Sequence, residues 1–176
     1  MKVRSRNSLI YDVSGSYVCK YYREKTPLFF VLLRRWVNRV SGNKNSAYAS
    51  ASMRCTLERD MLLFWKAQGL ASPRFVSEPG KNMLIMTRVE GQPLLKYVNE
   101  NRHEALSILR DLLGEFSVRH RLALEKNDLR YLHRDCNYTN LFLVEKANRR
   151  SFVHIDFEDR FLSESVVCAI EGEMAK

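Results

Sequence analysis

The sequence predicts an α+β fold in which strands dominate the first part of the chain, followed by helices and one further hairpin. Three observations support this prediction. Runs rich in β-branched and aromatic residues occupy positions 8 to 22, apolar residues between 105 and 116 recur at helical spacing, and two more strand-like runs follow residue 139. Strands and helices do not alternate regularly, which disfavours a βαβ arrangement.

The first elements are predicted to be the two strands of a hairpin. Ser8–Val13 and Ser16–Tyr22 are strand-like, and Ser14-Gly15 between them is typical of a turn. The segment Leu28–Val40 starts apolar and becomes basic, and Ser41–Ser52 is small, polar and loop-like.

A helix and a second hairpin are predicted next. The helix covers Leu57–Leu70, because Gly69 and Pro73 supply its stop signals. Strands are expected at Arg74–Ser77 and Met83–Val89, with the turn at Pro79-Gly80.

The second part of the chain begins where Glu90–Pro93 breaks the strand pattern, which we interpret as a joint between two lobes. Its clearest helix has a single apolar stripe, made of Ala105, Ile108, Leu109, Leu112, Leu113 and Phe116. A last hairpin is predicted from Asn140–Glu145 and Ser151–Phe157, turning at residues 147–150.

The composition is that of a folded globular protein with a basic surface. The 176 residues are 45% hydrophobic and 28% charged, with few Gly or Pro, which excludes collagen-like and wholly disordered chains. The net charge of +9 favours anionic partners: nucleotides, nucleic acid, acidic lipid surfaces or phosphorylated sugars. Nucleic acid is disfavoured, since the basic residues are scattered and not clustered with aromatics.

Cysteine spacing and hydropathy predict a cytoplasmic protein. The four cysteines lie far apart without metal-ligand spacing, as in a reduced compartment. No signal peptide is evident, and the longest apolar run, Leu28–Leu33, is far shorter than the roughly 20 residues of a membrane span. Leu28–Val40 joins aromatic and basic residues, as an interfacial helix does, which allows peripheral contact with an anionic membrane. The alternative is a buried helix with a basic exposed end.

The residues that carry chemistry follow the long helix. Asp135 and Asn140 bracket a polar loop, and Asp156 ends a strand that can pair with the one after Asn140. This hairpin is expected to place the Asn140 amide beside the Asp156 carboxylate, a set of hard oxygen ligands that suits Mg²⁺. Asp135 on the same loop can accept a proton from an attacking hydroxyl.

This arrangement resembles the catalytic core of the protein-kinase-like superfamily. The run His133–Asp135 with Asn140 matches the H-R-D-x-x-x-x-N catalytic loop, and Ile155–Phe157 matches the metal-binding Asp-Phe element. The resemblance implies a bilobal fold and the cofactors ATP and Mg²⁺. It further implies Asp135 as catalytic base or hydroxyl-positioning residue, with Asn140 and Asp156 as metal ligands.

The same resemblance suggests residues for the nucleotide. Lys20, in the middle of a predicted strand, corresponds to the lysine that binds the α- and β-phosphates, and Glu58 to its ion-pair partner. Asp60 is a neighbour that competes for this assignment. Backbone groups at the joint are expected to bind adenine; they belong to Arg88, Val89 and Glu90.

Three departures from the protein-kinase pattern narrow the expected branch. The chain has no GxGxxG loop, and Met1–Asn7 is too short for a full first strand with a phosphate-covering loop. Glu158 stands in place of the D-F-G glycine, as in choline-type kinases. Only Asp159–Lys176 follow the metal-binding element, without an A-P-E motif. We therefore expect a β-rich N-lobe at residues 1–90, which includes the Glu58 helix, and a shortened helical C-lobe at 91–176. The short tail leaves open whether the chain is complete.

The segment Asn45–Pro73 is similar to a pattern of bacterial lipopolysaccharide-core and Kdo kinases, which also keep H-R-D where aminoglycoside phosphotransferases have H-G-D. This resemblance implies an ATP- and Mg²⁺-dependent phosphotransferase that phosphorylates an alcohol group. The acceptor is expected to be a hydroxyl-bearing small molecule or a glycolipid. The resemblance favours a sugar hydroxyl at the inner face of the membrane. The alternatives are a nucleotide-binding pseudokinase, a regulatory partner or a protein kinase.

Overall fold

The computed structural model describes residues 2–4, 8–23, 50–147, 149–159 and 165–175. The predicted segment Leu28–Val40 and most of Ser41–Ser52 lie outside these ranges. The strands are β1 (Lys2–Arg4), β2 (Ser8–Asp12), β3 (Tyr17–Tyr22), β4 (Phe75–Gly80), β5 (Met83–Thr87), β6 (Gln92–Pro93), β7 (Leu141–Lys146) and β8 (Arg149–His154). The α-helices are α1 (Ala51–Ala67), α2 (Leu94–Glu100), α3 (Ala105–Lys126) and α4 (Val166–Met174), and short 3₁₀ helices occupy Arg102–Glu104, Leu129–Tyr131 and Tyr138–Asn140.

The strands form two antiparallel sheets, which confirms the predicted α+β class. A five-stranded sheet has the order β1-β2-β3-β5-β4, and a three-stranded sheet has the order β6-β7-β8. The predicted hairpins β2–β3 and β7–β8 are present. A three-residue first strand does form within Met1–Asn7 and pairs with β2.

Helix α1 begins at Ala51 and not at Leu57 as predicted. Ser50 caps it by accepting a hydrogen bond from the Met53 backbone N–H at 3.2 Å. The sequence pattern concealed the first turns because the buried position 54 is an arginine. The buried face consists of Ala51, Arg54, Cys55, Glu58, Leu62 and Trp65.

The turn between β4 and β5 lies at Lys81-Asn82, and the prediction of a turn at Pro79-Gly80 was wrong. Asn82 adopts a left-handed conformation with φ of 63°, which asparagine tolerates better than most residues. Pro79 is accommodated within β4 because this strand lies at the edge of the sheet.

Helix α3 extends to Lys126, but its apolar stripe is only partly buried. Ile108 is buried, and Leu112 and Phe116 pack against the same core as α2 and the β7–β8 hairpin. Leu109 and Leu113, predicted to share this face, are 50% and 43% exposed. They lie about 100° around the helix from their buried neighbours, so the core covers a narrower arc than the sequence suggested.

The two sheets meet where the chain passes from Thr87 to Gln92. A Cβ at Gly91 would lie 2.6 Å from the Leu143 carbonyl oxygen, so only glycine allows this close approach. Phe157, which follows the three-stranded sheet in sequence, is buried in the core formed by α1 and the five-stranded sheet. The segment after β8 therefore packs against the N-terminal half of the molecule.

Candidate functional site

Lys20 lies at the centre of a buried cluster of charges. It is on β3, opposite Leu84 of β5, and is 5% exposed. Its ammonium Nζ donates to Glu58 Oε2 at 2.6 Å and also to Asp156 Oδ1. Burial alone would lower the pKa of Lys20, but the carboxylates of Glu58 and Asp156 raise it above its ordinary value.

Helix α1 supplies Glu58 from its buried face, where the carboxylate is held from two sides. The Tyr22 hydroxyl donates to the same Glu58 Oε2 that accepts from Lys20. Asp60, the neighbour considered for this position, is directed instead towards Arg59, with N–O distance 2.9 Å. Because these two acidic residues are two positions apart, the helix turns one towards the core and the other towards solvent.

Arg54 is a second buried cation at the site, one helical turn before Glu58. Its guanidinium donates to the Glu158 carboxylate and, at 2.6 Å, to the Arg23 carbonyl oxygen. Glu158 Oε1 also lies 3.9 Å from Lys20 Nζ. Burial raises the pKa of Glu158. The site therefore holds two cationic side chains and three carboxyl groups close together.

Asp156 is presented by an unusual backbone conformation. Its φ is 69°, in the left-handed region that non-glycine residues seldom adopt. The side chain is 28% exposed, more than those of Lys20 and Glu58. Burial alone would raise the pKa of Asp156, but the Lys20 charge holds it below its ordinary value. The carboxylate is thus ionised and accessible.

The hairpin β7–β8 brings the Asn140 backbone next to Ile155, the residue before Asp156. Leu141 pairs with His154, and the Ile155 backbone N–H donates to the Asn140 carbonyl oxygen at 3.0 Å. The Asn140 side-chain Nδ2 donates to Asp135 Oδ2 at 3.1 Å. This orientation leaves the Asn140 amide oxygen available as an acceptor or ligand.

Asp135 is oriented by the two asparagines of its own loop. Asn140 Nδ2 also donates to the Asp135 backbone carbonyl at 2.9 Å, and Asn137 Nδ2 donates to Asp135 Oδ1 at 3.2 Å. Asn137 in turn accepts from the Thr139 backbone N–H at 2.9 Å. The carboxylate is therefore held by amide donors on both oxygens.

The loop is attached to the core through His133. Its ring lies 4.5 Å from that of Phe157, and its Nε2 is 2.9 Å from the Ile155 carbonyl oxygen. Burial lowers the pKa of His133 to about 3, so the ring is neutral. The His133 backbone N–H donates to Glu173 of α4 at 3.3 Å.

Arg88, Val89 and Glu90 lie in the connection between the sheets. The Arg88 backbone N–H donates to the Ser16 carbonyl at 2.8 Å, and its side chain pairs with Asp12 at 2.9 Å. Glu90 is exposed and lies 3.6 Å from Lys146. The Arg88 N–H is therefore already used within the protein, which leaves the backbone groups of Val89 and Glu90 for a ligand.

The oxygen atoms near Asp156 fit a small, hard cation. One carboxylate and one amide oxygen are the protein ligands that Mg²⁺ commonly takes when phosphate oxygens and water complete its shell. Within the described ranges, no group of three or more His, Cys, Asp or Glu side chains is arranged to hold a metal by itself. One carboxylate and one amide oxygen therefore suit a metal whose remaining ligands are phosphate oxygens and water.

Sequence reasoning did not identify four residues that contact the candidate site residues or their loop: Tyr22, Arg54, Asn137 and Glu173. A signal for Arg54 was present, since it precedes Glu58 by one helical turn on the face that Leu62 and Trp65 continue. Glu173 had no such signal because its partners lie 40 or more residues away.

Comparison with known structures identifies the architecture. The crystal structure of the Rio2 kinase–ADP/Mg²⁺–phosphoaspartate complex from Chaetomium thermophilum matches with a TM-score of 0.64 over 99% of this chain, at 16% sequence identity. The chain has a protein-kinase-like fold. It spans about half of the Rio2 chain, 52% of its length.

The sequence comparisons add no further family. No protein-family model matches the chain. No curated protein matches it either.

Within the described residues, no helix is both long and apolar enough to cross a membrane.

Proposed function

We propose that the protein is an ATP- and Mg²⁺-dependent phosphotransferase that transfers the γ-phosphate to a hydroxyl group. The observation that carries this proposal is the placement of Lys20 Nζ against both Glu58, at 2.6 Å, and Asp156 in a protein-kinase-like fold. Phosphoryl transfer depends mainly on positioning and charge stabilisation. A buried lysine beside an accessible carboxylate supplies both.

Lys20 is proposed to neutralise phosphate charge, with Glu58 holding the ammonium in place. The contact with Asp156 must then be exchanged for a contact with phosphate oxygens when the nucleotide binds. Glu58 keeps Lys20 oriented during this exchange because Tyr22 fixes the same carboxylate oxygen.

Asp156 and the amide oxygen of Asn140 are proposed as the metal ligands. When bound, Mg²⁺ supplies charge neutralisation at the phosphate oxygens. The protein contributes an ionised Asp156, since Lys20 keeps its pKa low, and an Asn140 amide whose nitrogen is directed towards Asp135.

Asp135 is proposed to accept the hydrogen bond, and then the proton, of the attacking hydroxyl. Both of its oxygens receive amide donors, from Asn137 at 3.2 Å and Asn140 at 3.1 Å. These donors hold the Asp135 carboxylate in one orientation, which leaves its remaining lone pairs for the hydroxyl. For the adenine ring, we propose the backbone groups of Val89 and Glu90, beside Arg88.

We propose a sugar hydroxyl, free or on a glycolipid, as the acceptor, because the sequence resembles those of lipopolysaccharide-core kinases and choline-type phosphotransferases. The net charge of +9 supports an anionic sugar or lipid surface. Cytoplasmic location with peripheral contact at the inner membrane face remains part of this proposal.

The test is calorimetric titration of the full chain with ATP, with and without Mg²⁺. We expect Mg²⁺-dependent binding that Asp156→Ala removes and that Asp60→Asn retains, since Asp60 is an exposed carboxylate of the same helix as Glu58. Failure of the folded wild-type protein to bind ATP would overturn the proposal. Acceptors are then screened by ADP formation, with anionic sugars and vesicles of anionic lipid compared with neutral ones.

A nucleotide-binding pseudokinase or regulatory partner is the second candidate. The observation that favours it is that the sequence has only three positions between the end of β1 at Arg4 and the start of β2 at Ser8, where kinases place a phosphate-covering loop. ATP binding without ADP formation, whatever acceptor is added, would favour this candidate over the phosphotransferase. Phosphate transfer to protein substrates would favour a protein kinase instead.

A further inference from the structure

A cleft lies away from the residues that we propose for phosphate transfer. It has a volume of about 1110 Å³ and is bounded by the loop after α1, the middle of α3 and the β7–β8 hairpin. None of the residues that we propose for ATP, metal or acceptor binding lines it. Its volume is slightly above the roughly 300–1,000 Å³ that is typical of small-molecule sites.

The cleft combines small residues with two apolar side chains. Gly69, Ala71 and Gly114 lack side chains that would fill it, while Leu70 is half-buried and Phe152, at 3% exposed, adds only a small apolar area. Gly114 lies inside helix α3, where glycine costs about 1 kcal/mol relative to alanine. No atom lies within 4 Å of a Cβ built there, so contacts within the protein do not require this glycine.

Two arginines of the cleft lack partners. Arg110 of α3 and Arg149 of β8 both line the cleft and are exposed. Among the residues that the structure describes, neither arginine side chain forms a hydrogen bond or an ion pair. Arginine presents a planar set of donors that suits carboxylate and phosphate groups.

The acidic residues of the cleft are compensated by other cations. Arg150 binds Glu145 at 3.0 Å and lies 3.6 Å from Asp111. Glu115 accepts from Arg119 at 2.6 Å and is 3.4 Å from His154. Each carboxylate that lines the cleft therefore has a cationic or histidine neighbour.

We propose that this cleft is a binding site for a small organic anion, in which Arg110 and Arg149 bind a phosphate or carboxylate group and Leu70 contacts an apolar portion. The site is separate from the proposed nucleotide site and does not depend on phosphotransferase activity. A ligand that carries both an anionic group and a ring satisfies the arginines and the apolar wall together.

The test uses phenyl phosphate and benzoate as probes, with benzyl alcohol as the neutral counterpart. In ¹H–¹⁵N spectra of the full chain, both anions are expected to shift the amides of Gly69, Gly114 and Ser151. Benzyl alcohol is expected to produce much smaller shifts at the same concentration. Comparing the two anions distinguishes a phosphate site from a carboxylate site.

Variants locate the binding. Arg110→Ala with Arg149→Ala is expected to weaken phenyl phosphate binding by at least about tenfold, since charged hydrogen bonds are lost. Gly114→Leu is expected to block the cleft without unfolding the chain, because space is available at this position. Arg121→Ala on the same helix, outside the cleft, is the matched control and is expected to bind as the wild type does.

Three results would overturn the proposal. The first is the absence of shifts at the cleft with either anion. The second is equal shifts with benzyl alcohol, which would show that the arginines do not select an anion. The third is unchanged binding in both the double arginine variant and a folded Gly114→Leu protein.

Discussion

Arg54 and Glu158 form a buried ion pair that joins helix α1 to the segment immediately after Asp156. Both residues are almost fully buried, at 4% and 6% exposed. Glu158 occupies the position where the protein-kinase pattern has a glycine. The pair therefore adds a side-chain connection between α1 and the proposed metal-binding segment, beside the one that Lys20 makes through Glu58 and Asp156.

The first prediction concerns the balance of charge in this cluster. Arg54→Met leaves Lys20 facing three carboxylates, whereas Glu158→Gln leaves two cations facing Glu58 and Asp156. We expect Arg54→Met to lower the free energy of unfolding by about 3–5 kcal/mol, as removal of one partner of a buried pair does. Glu158→Gln is expected to cost less.

Urea denaturation at neutral pH measures both variants. The double variant Arg54→Met/Glu158→Gln serves as the control, and its cost is expected to be smaller than the sum of the single costs. If Glu158→Gln destabilises the protein as much as Arg54→Met, the charge-balance argument is wrong.

The second prediction concerns the joint between the sheets. In Gly91→Ala the new Cβ meets the Leu143 carbonyl oxygen at 2.6 Å and the Val144 side chain at 2.8 Å. We expect the free energy of unfolding to fall by about 1–3 kcal/mol, which is typical of overpacking. Thermal and urea unfolding measure this loss.

Gly114→Ala is the matched control for this substitution. Its Cβ meets no atom within 4 Å, and alanine favours the helix by roughly 0.5–1 kcal/mol. The two glycine substitutions are therefore expected to have opposite signs. Equal effects would contradict the close approach at Gly91.

The sequence predicted those parts of the fold that local pattern determines. The hairpin β2–β3 and the core of α3 follow from alternation, turn residues and helical spacing. The start of α1 was missed because Arg54 occupies its buried face, where a hydrophobicity pattern expects apolar residues; Glu58, further along the same face, is also charged. Their burial depends on partners in β3 and after β8, which only the tertiary structure brings into contact.

The candidate site shows the same division. Lys20, Glu58, Asn140 and Asp156 were named from motifs, and the structure brings them into one region. Glu173 was not named, because nothing in its local sequence indicates that it contacts the loop that contains His133 and Asp135. Motif spacing identifies the residues that we propose to meet a ligand, whereas residues that hold those groups in place are recognised from contacts.

The third prediction follows from the buried carboxylate of Glu173. Burial alone would raise its pKa, but hydrogen bonds to His120 and Arg119 outweigh burial and lower the pKa to about 2. Because the folded-state pKa lies below the ordinary value of 4.5, Glu173 stabilises the fold above that value. This contribution is lost as the pH falls from 4.5 towards 2 and amounts to about 3 kcal/mol.

Glu173→Gln tests this linkage. The variant is expected to be less stable than the wild type at about pH 6, and the difference in unfolding free energy is expected to narrow towards about pH 3. Burial also lowers the pKa values of His133 and His154, so the fold loses stability when these histidines become protonated in acid. The wild type and Glu173→Gln both contain them, so this loss affects both proteins. A difference independent of pH would show that Glu173 contributes no such linkage.

The last prediction separates nucleotide binding from turnover at Asp135. Asp135→Asn keeps the size of the side chain but removes the basic oxygen, so we expect ADP formation to fall by about 10²–10⁴-fold while MgATP affinity is retained. Asn137→Ala removes the donor 3.2 Å from Asp135 Oδ1 and is expected to lower turnover less, again without loss of affinity. Asp128→Asn, in the exposed pair with Arg130, is the control and is expected to change neither quantity. Calorimetry with ATP and an ADP-formation assay measure the two separately. Loss of MgATP binding by folded Asp135→Asn would place this residue on the nucleotide side of the site and contradict its assignment to the acceptor.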